Sequence, residues 1–144
     1  LDNLQNKIND KNIEVKINNY LSKDDVLGNK DALIQVFINL TDNAIKYSKE
    51  NSKIEIELNE RLEQNINYCE INFRDFGEGI SEEHLSRLTE RFYRVDKNRS
   101  RNQGGTGLGL SIVKHITNKH SGKMKIESQI DKGSTFSVAL PIIN

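Results

Sequence analysis

The sequence predicts an α+β fold: a two-layer α/β sandwich in which one mixed β-sheet is covered by helices on one face. Three observations predict it. Apolar and polar residues alternate in four short stretches, around Ile13 to Ile17, Ile54 to Leu58, Cys69 to Phe73 and Phe136 to Leu140. Between them lie segments with helical apolar spacing, above all Asp31 to Ser48 and Thr106 to His120. Two short polar turns join neighbouring strands as hairpins. At 144 residues, one domain with a substantial core is expected.

The elements follow in order. Leu1, Leu4 and Ile8 fall at helical spacing and form a short lead-in over 1–12; residues 13–144 form the domain. Ile13, Val15 and Ile17 mark the first strand. Asp31 can cap a helix through about Ser48, with Leu33, Phe37, Leu40 and Ala44 as its apolar stripe. Ile54, Ile56 and Leu58, then Cys69, Ile71 and Phe73, form a hairpin across the polar turn at Gln64 and Asn65. Ser81 can cap a short helix through Arg91. Residues 98–105 are polar, end in glycine and read as a mobile loop. In the next helix Leu110, Val113 and Ile116 face inward. Met124 and Ile126, then Phe136, Val138 and Leu140, close the fold as a hairpin through Asp131, Lys132 and Gly133. The one proline, Pro141, ends the last strand, where a missing N–H is tolerated.

Composition narrows the function. Lys plus Arg and Asp plus Glu both number 21, so no basic footprint for nucleic acid is expected. One cysteine, Cys69, excludes an internal disulfide and a cysteine-based metal cage, and its strand setting reads as a buried thiol. No apolar run approaches the roughly 20 residues that span a bilayer. The chain opens at Leu1 inside a helical pattern, as a piece of something longer would.

Three segments carry the chemistry. On the 31–48 helix Asn39, Asn43 and Lys46 are spaced i, i+4, i+7 and share a face, with Tyr47 beside it. Amide oxygens can hold Mg²⁺ without adding negative charge next to phosphates. Lys46 adds a positive charge and Tyr47 an aromatic surface for a purine. The same face also reads as the solvated side of an ordinary amphipathic helix. Asp75 continues the parity of Cys69, Ile71 and Phe73, so it points inward, where an ionised carboxylate needs a donor such as an exocyclic amine. Gly77 and Gly79 then allow a close backbone approach to a ligand. A plain strand-to-helix turn would look similar. Gly104, Gly105, Gly107 and Gly109 crowd a helix start, where backbone N–H groups and the dipole favour phosphate oxygens; flexibility alone is the other reading. Phe92 and Tyr93 are expected to pack. Arg94, Lys97, Arg99 and Arg101 can reach phosphates or form a solvated run.

Taken together, these segments resemble the ATP-binding catalytic domain of bacterial two-component sensor histidine kinases, in the superfamily shared with DNA gyrase B, Hsp90 and MutL. Asn39 to Ser48 resembles the N box, Asp75 to Ile80 the G1 box, Arg91 to Arg94 the F box and Gly105 to Leu110 the G2 box. Gly133 to Phe136 resembles the closing glycine-threonine signature. The resemblance covers about Ile13 to Leu140 and implies a Bergerat-type ATP-binding fold. It implies that Asn43 is the principal Mg²⁺ ligand, assisted by Asn39, and that Lys46 and Arg94 contact phosphates. Tyr47 would stack near the adenine and Asp75 would accept its amine, with Thr135 supporting through water. Gly77, Gly79, Ile80 and Tyr93 would also contribute to nucleotide binding. Gly105, Thr106, Gly107, Leu108, Gly109 and Leu110 would cradle the phosphates, and residues 96–104 would form a lid.

It further implies partners: a dimerisation and phosphoacceptor domain upstream, making a homodimer in full length, and a response regulator downstream. A cytoplasmic domain is implied, with any membrane contact through segments outside this chain. His84, His115 and His120 lack the setting of an acceptor histidine and read as surface or helix-terminal residues, so the acceptor is expected outside this chain. An ATPase like gyrase B or Hsp90 would carry a glutamate where Asn39 stands, and an amide is no base at neutral pH. A serine kinase of an anti-anti-sigma partner, or a non-catalytic regulatory module, could carry a related pocket. The Phe92-Tyr93-Arg94 segment favours the histidine kinases.

Overall fold

The alternating stretches build the centre of the molecule, a single five-stranded sheet. The computed structural model describes residues 2–22, 28–93 and 109–142. Its elements are α1 (Asp2–Lys11), β1 (Glu14–Asn19), α2 (Lys30–Tyr47), β2 (Lys53–Glu63), β3 (Ile66–Asp75), α3 (Glu82–Leu85), α4 (Gly109–Lys119), β4 (Lys123–Gln129) and β5 (Gly133–Pro141). The strands form one mixed sheet in the order β1-β2-β3-β5-β4. β1 runs parallel to β2, and the other three pairings are antiparallel. This is the α+β sandwich that the alternation predicts.

Strand parity decides what the sheet buries. Ile54, Ile56, Cys69, Ile71, Phe73, Phe136, Val138 and Leu140 all lie in the core on the helix-covered face. Val36, Leu40, Ala44 and Ile45 of α2 and Leu110, Val113 and Ile116 of α4 pack against them. The opposite face carries Glu55, Glu57, Arg61, Glu70, Asn72, Arg74, Thr135 and Ser137. Its charges pair with one another, as Arg61 does with Glu70 at 2.7 Å. β1 is an edge strand with a neighbour on one side only, so Ile17 stays 63% exposed although it shares the parity of buried Ile13.

Turn chemistry sets the register. Gln64 and Asn65 both take positive φ, 49° and 66°, the two-residue hairpin turn whose twist matches the strands. That turn aligns Ile54 with Asp75 at the far end of the pair. Pro141 ends β5 opposite Tyr68.

Two helix boundaries differ from those the sequence predicts. The cap of α2 is Asn29, whose side chain accepts the Ala32 N–H at 3.0 Å; Asp31 sits in the first turn, where its charge meets the helix dipole. On α2, Leu33 is only half-buried and Phe37 is exposed, while Val36 and Ile45 are buried. α3 stops at Leu85 rather than Arg91. Beyond it the bonds tighten to three-residue turns, as from Arg87 N–H to His84 and Glu90 N–H to Arg87, and Phe92 takes φ 65°, which ends any helix. Ser81 makes no side-chain cap bond.

Both long helices are tied at their ends. Lys11 Nζ donates to the carbonyls of Ile45, Lys46 and Ser48 at 2.9, 3.2 and 3.0 Å and thereby closes the C-terminus of α2. Lys7 pairs with Asp42 at 2.6 Å. His120 ends α4 with Nδ1 against the Ile116 carbonyl at 2.8 Å, and its Nε2 accepts the Asn29 N–H at 3.1 Å. That histidine is helix-terminal, and it also joins α4 to the start of α2. No helix among the described residues is long and apolar enough to cross a membrane.

Candidate functional site

Three backbone segments converge where β3 ends: the last turns of α2, the turn after Asp75, and the β4–β5 turn. The packing is close enough to exclude side chains. A Cβ on Gly77 would lie 1.8 Å from the Tyr47 carbonyl oxygen. One on Gly79, which has φ +78°, would lie 2.1 Å from the Gln129 carbonyl oxygen. Only glycine fits either place, so the two glycines serve contact between backbones. The Asp131 N–H bonds the Glu78 carbonyl at 2.7 Å and locks the two turns together.

Asp75 stands at the centre, fully buried in the row of Cys69, Ile71 and Phe73. Its Oδ1 accepts the Gly77 N–H at 3.0 Å, and the Ser134 backbone N–H also bonds the carboxylate. Oδ2 is buried and has no hydrogen-bond partner among the described residues. Burial pushes the carboxyl up to about 6 from its ordinary 3.8, against the lowering pull of the Gly77 and Ser134 N–H groups. A buried acceptor left open is costly unless something donates to it.

The polar face of α2 shows the same property. Asn39 and Asn43 are half-buried, and the Nδ2 atom of each is buried without a partner among the described residues. Turning either amide about its last bond presents oxygen in place of nitrogen. Asn39 faces the start of α4, its side chain 3.8 Å from where a Gly109 Cβ would stand. Gly109 is the first residue of α4, and Leu110 is buried behind it. Lys46 lies half-buried at the C-terminal end of α2, with Nζ 5.5 Å from the Tyr47 ring centroid.

Tyr47 is packed on one side. Its ring stacks on Phe136 at 6.3 Å between centroids, 12° from parallel. Its hydroxyl is pushed up to about 12, first by burial, then by the negative charge of Asp75 and by Tyr93. Tyr93 is half-buried, with its hydroxyl bonded to His84 Nδ1 and the Arg87 guanidinium 4.5 Å over its ring. The expected packing of Phe92 is not seen: it is 65% exposed. Ile80 is buried, and its N–H bonds Ser128 Oγ at 2.7 Å.

One expected site residue faces the wrong way. Thr135 pairs with Arg74 and lies on the polar face of the sheet, with the sheet between it and Asp75. The neighbour of Asp75 is Ser134, buried and directly opposite it across the β3–β5 pair. Parity along β5 carries the signal, since Ser134 is in step with Phe136, Val138 and Leu140 and Thr135 is not. Ser128, bonded to both Ile80 and Ser134, also escapes the sequence reading and has no motif to announce it. Arg94, Gly105, Thr106, Gly107 and Leu108, with the lid expected over 96–104, lie outside the described residues. Among the described residues no group of three His, Cys, Asp or Glu could hold a metal ion.

Known proteins share this fold. Residues 28–144 match the model of the family described as histidine kinase-, DNA gyrase B-, and HSP90-like ATPase. The chain is 47% identical over 104 residues to the signal transduction histidine-protein kinase ArlS of Staphylococcus aureus. That match covers 72% of this chain and 22% of ArlS, so the chain spans about a fifth of the length of that relative. Among solved structures, the catalytic domain of histidine kinase ThkA aligns with TM-score 0.78 at 28% identity, covering 97% of this chain and 86% of that one. The mycobacterial sensor histidine kinase MprB aligns with TM-score 0.77 at 25% identity, covering 97% and 90%. The chain belongs to the histidine kinase-, DNA gyrase B- and HSP90-like ATPase family, and it is homologous to the ATP-binding catalytic domains of sensor histidine kinases.

Proposed function

We propose that this chain binds Mg-ATP between α2, the Gly77–Gly79 turn and the start of α4, and delivers the γ-phosphoryl group to a histidine on a phosphoacceptor domain beyond these residues. One observation carries the reading. Among the described residues, the buried polar atoms left open at this end are a carboxylate oxygen, Asp75 Oδ2, and the amide Nδ2 atoms of Asn39 and Asn43. They suit an amine at one place and a hydrated cation with phosphates at the other. Asp75 accepts the adenine amine, the Gly77–Gly79 turn and Ile80 line the base, and Tyr47 and Tyr93 flank it. Asn43, assisted by Asn39, holds Mg²⁺. Lys46 and Arg94 neutralise the phosphates, and the backbone of 105–110 cradles them.

Phosphoryl transfer needs positioning and charge neutralisation more than covalent chemistry from the protein. Bound Mg²⁺ would supply part of that neutralisation. Asn43 and Asn39 contribute oxygens without adding charge, and α4 directs its N-terminal dipole at the same space. The proton leaving the acceptor imidazole goes to a base on the acceptor domain. His84 and His120 are committed to Tyr93 and to the helix junction, so neither is an acceptor. The whole protein would act as a homodimer, pass phosphate on to a response regulator, and place this domain in the cytoplasm.

The test is transfer itself. The chain is mixed with γ-³²P-labelled ATP, Mg²⁺ and the phosphoacceptor domain of its own kinase. Label on the acceptor that is lost in acid and kept in base, absent with Asn43→Ala, is the expected result. Release of inorganic phosphate with an unlabelled acceptor refutes the proposal.

A further inference from the structure

We infer that Ser128 is a positioning residue that leaves the base-reading end with acceptors only, so that a 6-amino purine is taken and a 6-oxo purine refused. This role rests on the nucleotide reading above, and it follows from counting protons. A serine hydroxyl has one proton to give and two lone pairs to receive with. Ser128 Oγ donates to the Gly133 carbonyl at 2.9 Å and accepts the Ile80 N–H at 2.7 Å. Its third contact is Ser134 Oγ at 2.7 Å. With the Ser128 proton on Gly133, Ser134 is the donor in that contact. Its hydroxyl proton therefore points at Ser128 and away from Asp75.

Ser134 and Asp75 stand side by side, opposite each other across β3 and β5 and on one face of the sheet. Asp75 receives N–H groups from Gly77 and Ser134, and its Oδ2 has no partner among the described residues. Lone pairs alone are thus presented by both side chains. The two N–H bonds of a 6-amino group match that arrangement. A 6-oxo group brings further lone pairs and is repelled. Ser128 touches no ligand; it acts by fixing which way the Ser134 proton points. Its bond to the Ile80 N–H holds the Gly79 turn to the same reading edge.

The experiment compares ATP with inosine triphosphate, which replaces the 6-amino group by a 6-oxo group, on the 144-residue chain by titration calorimetry. Wild type should prefer ATP. Ser128→Ala frees the Ser134 proton to turn toward an oxo group, so the ATP preference should narrow about tenfold, the scale of one buried hydrogen bond. Ser128→Thr keeps the hydroxyl and should restore the wild-type ratio. A purely structural role would weaken both nucleotides equally and leave the ratio unmoved. If Ser128→Ala fails to fold, Ser134→Ala decides: it removes the routed proton and its oxygen, and the ratio should again narrow. An unchanged ratio in whichever variant folds, with wild type still preferring ATP, overturns the role of Ser128 alone. A wild type that binds neither nucleotide overturns the nucleotide reading beneath it.

Discussion

Replacing Asp75 by asparagine separates what this carboxylate does for binding from what it costs the empty fold. Its pKa stands at about 6, against an ordinary 3.8. Each unit is worth about 1.4 kcal/mol, so holding the charge in its buried site costs about 3 kcal/mol above pH 6. The sign follows from proton counts. Between pH 3.8 and 6 the folded state holds a proton that the unfolded state has lost, so stability falls as pH rises through that window. Asparagine does not titrate. The stability of wild type minus that of Asp75→Asn should therefore drop by about 3 kcal/mol between about pH 3.5 and about pH 7. Urea unfolding without nucleotide, across that range, measures it. Nucleotide behaves in the opposite sense, because an ionised Asp75 accepts the amine better. ATP affinity in wild type should rise through about pH 6, and Asp75→Asn, which offers a donor where Oδ2 was, should lose roughly ten- to a hundredfold in affinity. A stability difference that stays flat across that range refutes the buried-charge reasoning.

Other consequences are simpler to state. Asn43→Ala should remove the Mg²⁺-dependent part of ATP affinity and spare the rest, by calorimetry with and without the metal; full Mg²⁺ dependence in the mutant would sink the metal assignment. Gly79→Ala should cost more than about 2 kcal/mol, because positive φ and a backbone oxygen 2.1 Å away act together; a loss under about 1 kcal/mol by urea unfolding would contradict the packing. Lys11→Ala removes the donor to three carbonyls at the end of α2 and should cost about 1–2 kcal/mol in the same assay. Lys11→Arg, which keeps the charge, should recover part of that loss.

Much of the sheet is legible in the sequence because period-2 alternation is a strong signal when one face is buried. Ile54, Ile56, Ile71, Phe73, Phe136 and Val138 all fall on the core side that alternation assigns them. Helix ends are less legible, because competing caps differ by little free energy. Asn29 outcompetes Asp31 once its N–H finds His120, and that contact spans 91 positions in the chain. Local propensity cannot report it. α3 ends early for a similar reason. The His84–Tyr93 bond and the Arg87 guanidinium over the Tyr93 ring hold 86–93 as turns, and these side-chain contacts, though short in span, are not read by helix propensity.

The site divides along the same line. Asp75 is readable from parity alone, whereas following the glycine-threonine motif leads to Thr135 where parity points to Ser134. Ser128 becomes visible only when hydrogen bonds are traced across the β4–β5 turn.

The choice between transfer and hydrolysis rests on where the carboxylates of α2 lie. Activating water needs a base near the γ-phosphate, and the open polar face of α2 offers Asn39 and Asn43, whose amides do not take up protons at neutral pH. α2 has two acidic residues, Asp31 and Asp42. Asp31 sits in the first turn, about two turns from Asn39. Asp42 is adjacent in sequence to Asn43 and so projects about 100° away around the helix, where Lys7 of α1 holds it at 2.6 Å. Asp75 stands at the base end, its Oδ1 held by the Gly77 N–H. Among the described residues, none of these three carboxylates stands where it would deprotonate such a water. A histidine arriving from another domain brings its own nucleophilic nitrogen and needs only an aligned phosphoryl group, which the amides, Lys46 and the helix dipole are suited to supply.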